Sequence, residues 1–273
     1  MVPIRDRLPA LAALAIPVSA GAAWMAAGGA PAHYPLVNLG ALALACLWAL
    51  VGRGPHTRMS RHLLWIVLIV VMLSPLAIGP RAISITGESV ARWVPIGPIN
   101  LHTGMLAAPA LCMLAARNRV MAPWMLLSGM VAAAVQPDAA TGFALTFAAA
   151  GLYHVTKDWR VGLVTVPGFL GAIYAALHGE LPPQPFVERL LIEAAAQSAA
   201  WSVALAAALL AGFLLILYAT PFDRAKRFAL GGALFGFVAM AVMSHYPYPL
   251  IGYGAAPILG FGLALGLHRI PLR

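Results

Sequence analysis

Charge is what this sequence lacks. Only 9% of its 273 residues are Asp, Glu, Lys or Arg, against roughly 25% in an average soluble domain. So few charges cannot cover a water-facing surface, which excludes a soluble globular protein. Cysteine is scarce too. Cys46 and Cys112 both lie in apolar stretches, so no disulfide framework is implied, and they read as small packing residues. There is no soluble domain, linker, low-complexity tail or obvious internal repeat, and the chain reads as one domain over residues 1–273. His102 and His154 stand without a second ligand at metal-like spacing, which argues against a metal site.

What is present is apolar sequence, 62% of the residues. A membrane crossing takes about 20 mostly apolar residues. Runs of that kind lie near 8–29, 34–52, 62–80, 98–116, 121–136, 139–156, 160–178, 190–219, 227–245 and 249–268. The fifth and sixth are separated only by Gln136-Pro137-Asp138, where a proline and a carboxylate favour two helices with a tight turn. The expected fold class is therefore an all-α polytopic membrane protein with about ten transmembrane helices. Arg5, Arg7 and the following apolar run also fit a cleaved signal peptide. That run is longer than the ~7–15-residue core of such a signal, and it is read here as a retained span.

The net charge of +9 does not mark a nucleic-acid partner, because basic excess in a membrane chain usually sits in cytoplasmic loops. With both termini placed inside, the inner segments hold Arg5 and Arg7; Arg53, Arg58 and Arg61; Arg117 and Arg119; Lys157 and Arg160; Arg224, Lys226 and Arg227; Arg269 and Arg273. The outer segments hold Arg81, Arg92 and Arg189. Short basic loops resist translocation, so this asymmetry fixes the orientation. Removing one span would flip every later loop and destroy the alternation.

Most helix faces are Ala, Gly and Leu, which pack closely in lipid. Function then lies where polar groups persist despite a cost of roughly 2.5–3.5 kcal/mol per mid-span charge. Four places qualify, all in the outer half. The loop 81–97 carries Gly87-Glu88-Ser89 and Arg92-Trp93, either an interfacial anchor or the border of a substrate groove. Asp138 either caps the next helix or faces a cavity. The loop 179–189 holds Glu180, Glu188 and three prolines, with Glu193 just beyond; it is either a stiff solvated loop or part of a site. His245 to Gly254 is rich in Tyr, Pro and Gly, either an aromatic belt or an irregular helix start lining a cavity.

These breaks, in this order, resemble the SEDS family (shape, elongation, division and sporulation). The first is Gly87-Glu88-Ser89-Val90-Ala91-Arg92-Trp93-Val94-Pro95-Ile96-Gly97. The second is Gln136-Pro137-Asp138 with Thr141 following. The third is Pro249-Leu250-Ile251-Gly252-Tyr253-Gly254-Ala255-Ala256. The match covers roughly residues 85–155 and 245–270. The resemblance implies a multi-pass protein of the bacterial inner (cytoplasmic) membrane that acts in peptidoglycan synthesis for division or shape. Typical members polymerise lipid II, an undecaprenyl-pyrophosphate-linked glycan, together with a class B penicillin-binding protein. It also implies an outer carboxylate acting as base on the acceptor hydroxyl. The sequence itself calls for no cofactor, and the resemblance admits a divalent cation.

The departures from the family pattern are specific. Where the family has a charged Gln-Pro-Ser/Ala-Glu-x-x-Lys segment, this chain has His102-Thr103-Gly104-Met105 and Ala108. The large outer loop shrinks to Gly179–Arg189. The family's aspartate position there falls on Val187, with Glu188 one residue away, and adjacent residues on a helix point about 100° apart. Three functions follow as expectations. The first is a binding subunit with lost or reduced catalysis. The second is a compact glycosyltransferase using Asp138 or Glu188. The third is a transporter or flippase for a lipid-linked precursor. Arg92, Trp93, His102, Gln136 and Tyr253 are expected to line the substrate and pyrophosphate groove.

Overall fold

The computed structural model describes residues 4–97 and 99–267. Arg269 and Arg273, residue 98 at the start of the fourth span and residue 268 at the end of the tenth lie outside the described residues. The described chain is built from helices with two short antiparallel hairpins. The first helices are α1 (Leu8–Ala27), α2 (His33–Val51), α3 (Arg58–Leu73) and α4 (Pro75–Ile78). The strands β1 (Ala82–Ile83), β2 (Ser89–Val90), β3 (Trp93–Ile96) and β4 (Ile99–His102) follow. Then come α5 (Thr103–Arg117), α6 (Ala122–Ala134), α7 (Ala139–Thr156), α8 (Trp159–His178) and α9 (Leu190–Gln197). The last are α10 (Ala199–Leu214, continued by a π-turn over Leu215–Ala219), α11 (Arg224–Met243) and α12 (Ala255–Gly266).

Every apolar run read from the sequence contains a helix, and six helical stretches are long and apolar enough to cross a membrane. Four boundaries differ from the sequence reading. The third run breaks at Ser74, where Pro75 starts the separate turn α4. The fourth begins as β4 and becomes helical only at Thr103, because His102 caps α5. The eighth divides at Ser198, whose extended backbone and side-chain cap on Ala200 start α10 afresh. The tenth is helical only from Ala255, after an irregular stretch.

α7 lies in the middle of the molecule and packs against α5, α6, α8 and α11. Its closest neighbour is α11, and glycine makes that approach possible. A Cβ on Gly232 or Gly236 would overlap the carbonyls of Phe147 and Phe143 on α7. Such small-residue contacts replace hydrophobic drive in lipid, where apolar burial gains little. α1 is equally embedded, with Leu14, Trp24 and Met25 buried against the rest of the bundle.

The loops sort to two ends. At one, the segments 79–102, 136–138, 179–189 and 244–254 are joined by hydrogen bonds from Ile85 N to Glu180 O, Tyr248 N to Val187 O and Arg92 to Pro137 O. Pro55, Arg117, Lys226 and Leu267 meet at the other. The three motif segments thus share one end, and the basic loops share the other.

Candidate functional site

The site is assembled from caps and turns, the only places where a bundle of apolar helices presents polar backbone. The β3–β4 hairpin pairs Trp93 with His102, and their rings meet edge to face at 5.5 Å. His102 caps α5: its Nδ1 accepts from Met105 N at 3.3 Å. Asp138 caps α7 in the same way, Oδ1 accepting from Thr141 N at 3.2 Å. The two caps face each other, His102 Nε2 lying 3.7 Å from Asp138 Oδ2. Gly104 leaves room for this, since a Cβ there would overlap the Thr141 hydroxyl. Gln136 Nε2 donates to Ala132 O at 2.9 Å and Met72 O at 2.6 Å, tying the end of α6 to α3.

Arg92 corrects the sequence reading. It was expected in a pyrophosphate groove, yet it is 2% exposed and turned into the protein. Its guanidinium donates to the carbonyls of Pro137 and Gly179 and to Tyr246 Oη at 3.1 Å, and lies 4.8 Å from the centre of the Tyr246 ring. One cation thereby clamps its own hairpin to the segments 136–138, 179–189 and 244–254. A buried arginine suits this role because its planar head offers several fixed donors.

The short loop 179–189 closes the same end. Glu180 Oε1 accepts from Ser244 Oγ at 2.5 Å and His245 N at 3.2 Å, and lies 3.1 Å from His245 Nδ1. Part-burial opposes ionisation of Glu180, but these hydrogen bonds outweigh it and hold the carboxyl below its ordinary value. Phe186 O accepts from Tyr253 N at 2.8 Å, and Glu193 Oε2 accepts from Phe186 N at 3.1 Å. The Tyr253 ring stacks on Tyr34 with centroids 3.6 Å apart. Asn38 of α2 holds the last turn in place, donating to Gly252 O at 2.9 Å and accepting from Gly254 N at 3.0 Å.

Between these segments lies a cleft of about 300 Å³, lined in part by Trp93, His102, Gln184, Val187, Glu188 and Tyr253. Arg92, Gln136 and Asp138 do not line it. Val187 and Glu188 both do, because residues 185–189 form a turn and a bend and not a helix. The angular argument against Glu188 therefore does not apply. Glu188 Oε2 accepts from Gln184 N at 2.7 Å. Burial pushes its carboxyl up to about 7, with the nearby Glu193 charge adding to the rise and hydrogen bonds and Arg92 opposing it. Among the described residues of the lining Glu188 is the one acidic side chain, and neither lysine nor arginine is present. No group of three His, Cys, Asp or Glu side chains stands ready to hold a metal ion among the described residues. A divalent cation in the cleft would meet one carboxylate, Glu188, with His102, Asn100 and Gln184 among the other polar side chains of the lining.

Sequence reasoning missed Asn38, Tyr34 and Ser244. Asn38 had a signal. A lone amide in an apolar run costs free energy unless both its ends are bonded, as they are here.

Comparison with known proteins was then informative. No family model matches the chain, and no curated protein matches it significantly. One solved chain is similar with a TM-score of 0.61 at 18% identity, over 94% of this chain and 96% of its own. It comes from a structure described as "Structural coordination of polymerization and crosslinking by a peptidoglycan synthase complex". At this identity the likeness is one of fold. The chain shares the fold of that component of a peptidoglycan synthase complex.

Proposed function

We propose that this chain is a SEDS-like membrane subunit of bacterial cell-wall synthesis. In this reading it crosses the inner membrane ten times with both ends in the cytoplasm. Its outer cleft binds an undecaprenyl-linked glycan or a membrane partner, and its glycosyl-transfer activity is lost or reduced. The ten crossings are the six long apolar helices, three shorter apolar ones and the buried central helix α7, and the gathering of basic loops at one end supports them. The role in the wall rests on the shared fold and the three ordered motifs.

One observation carries the reading of reduced catalysis: among the described residues neither lysine nor arginine lines the cleft. Glycosyl transfer from an undecaprenyl pyrophosphate expels a highly charged leaving group. Preorganised positive charge at that group is usually the largest catalytic contribution. Arg92 is buried and directs Nη2 at Pro137, Gly179 and Tyr246, and Arg81 and Arg189, next in sequence to the lining residues Ala82 and Glu188, are not part of the lining. The test uses full-length protein in liposomes with a membrane-anchored penicillin-binding protein from the same cell and labelled lipid II. The expected result is lipid II binding without glycan polymer, beside a working SEDS control. Polymer made at the control's rate overturns the proposal.

A second reading has its own observation. Glu188 is a carboxylate on the cleft wall whose burial brings it near neutrality, where a general base works best. If the chain is a compact glycosyltransferase, Glu188→Gln abolishes polymer formation while lipid II binding persists.

A further inference from the structure

A second feature shares no lining residue with the cleft. Between α3 and α6 is a surface groove of about 650 Å³, walled by Trp65, Ile69, Leu73, Met121, Trp124 and Val131. The hydroxyl in its floor is already used. Trp65 Nε1 donates to Ser128 Oγ at 3.0 Å, and Ser128 Oγ donates to Met125 O at 2.9 Å. A polar ligand finds no partner along these walls, whereas a hydrocarbon chain is matched throughout.

The groove has a charged end. Residues 65, 69 and 73 follow one another four apart, so Arg61 continues the same stripe one turn earlier on α3. Arg117 ends α5 four residues before Met121, and its charge lies close enough to that of Arg61 for the two to repel. Arg61 Nε and Arg117 Nη1 are buried without a hydrogen-bond partner, and neither arginine pairs with a carboxylate among the described residues. Of the acidic side chains at this end, Asp158 and Asp223 are taken by Arg160 and Lys226, and Asp6 forms no ion pair with Arg61 or Arg117 among the described residues. Two neighbouring cations that repel each other, with no carboxylate partner among the described residues, precede the groove residues Trp65 and Met121 by four positions each. That pairing is complementary to one kind of molecule, an acid with a long hydrocarbon tail.

We propose that Arg61, Arg117 and the groove between Trp65 and Trp124 form one binding site for an anionic phospholipid of the leaflet that faces the basic loops. The phosphate sits between the two guanidinium groups, which favour bidentate phosphate contacts. One acyl chain runs along Trp65, Ile69 and Leu73. The site needs only the membrane reading and is independent of what the outer cleft binds.

The experiment uses the full chain in neutral detergent. It is titrated separately with phosphatidylglycerol and phosphatidylcholine, and bound lipid is counted by native mass spectrometry. Wild type is expected to hold phosphatidylglycerol the more tightly. R61Q/R117Q should weaken phosphatidylglycerol binding roughly tenfold or more, since each basic residue near an anionic headgroup contributes about 1 kcal/mol, and leave phosphatidylcholine unchanged. R61K/R117K keeps the charge and should retain most of the preference. Ile69→Trp fills the groove and should weaken both lipids while the melting temperature stays within a few degrees of wild type. Equal affinity for the two lipids overturns the proposal. So does a folded R61Q/R117Q protein with unchanged phosphatidylglycerol binding, or a co-purified transmembrane peptide cross-linked along Trp124 in place of lipid.

Discussion

His102 Nε2 lies 3.7 Å from Asp138 Oδ2, and each residue caps the first turn of its own helix, α5 for His102 and α7 for Asp138. Two of the three motif segments therefore meet through helix caps. Asp138 lies behind the cleft wall, so its first task is structural. Asp138→Ala should destabilise the protein by about 1 kcal/mol, the usual cost of a lost cap. Asp138→Asn should cost only a few tenths, because asparagine caps as well. Thermal unfolding in detergent measures both. If Asp138→Asn unfolds like wild type yet abolishes an activity of the wild-type protein, Asp138 is more than a cap.

Arg92 predicts a larger effect. Arg92→Met leaves the Pro137 and Gly179 carbonyls and the Tyr246 hydroxyl short of a donor. Each buried unsatisfied group costs about 1–3 kcal/mol, so this variant should be among the least stable single substitutions. Arg92→Lys should recover only part, because an ammonium loses the planar stacking over Tyr246. A melting temperature unchanged in Arg92→Met would contradict the clamp. Gly179→Ala offers an independent check, since a Cβ there would overlap both Pro137 O and Arg92 Nη2.

Much of this architecture was legible in the sequence, and particular residues explain what was not. The Gln136-Pro137-Asp138 turn could be read because proline and an N-capping carboxylate have strong local meaning. Trp93, His102, Glu188 and Tyr253 were singled out from motif order, and all four line one cleft. The inward direction of Arg92 was not readable. It depends on hairpins of two to four residues per strand, too short to show periodicity. The break at Ser198 was hidden too, because the apolar runs on either side merge into one apparent span. The turn at residues 185–189 could not be told from a helix by composition, so the cleft position of Glu188 emerged only in three dimensions.

Glu188 carries a pH signature. Its carboxyl titrates near 7 in the folded protein and near an ordinary 4.5 when unfolded. Between those values the folded state binds more protons than the unfolded one, so stability falls as pH rises across this window and then levels off. Glu188→Gln removes the effect. Melting temperatures from pH 4.5 to 8 should show a decline in wild type that is flattened in the variant, leaving Glu188→Gln the more stable protein at pH 8. Parallel curves would mean that Glu188 is solvated and ordinary.

Asn38 gives the test that separates the two ends of the chain. It sits on α2, fully buried, and bonds the backbone on both sides of Tyr253. Tyr253 in turn lines the cleft and stacks on Tyr34. Asn38→Leu is well tolerated by an apolar helix but leaves Gly252 O and Gly254 N unpaired, at about 1–3 kcal/mol for each group. The loss should be local, because the helices on either side keep their own packing. Hydrogen exchange in detergent should show protection falling across residues 248–254 and in the facing turn at 186–188, whose backbone pairs with Tyr248 and Tyr253. α7 and α11 should exchange as in wild type. A uniform rise in exchange over the whole bundle would mean instead that Asn38 supports the global fold.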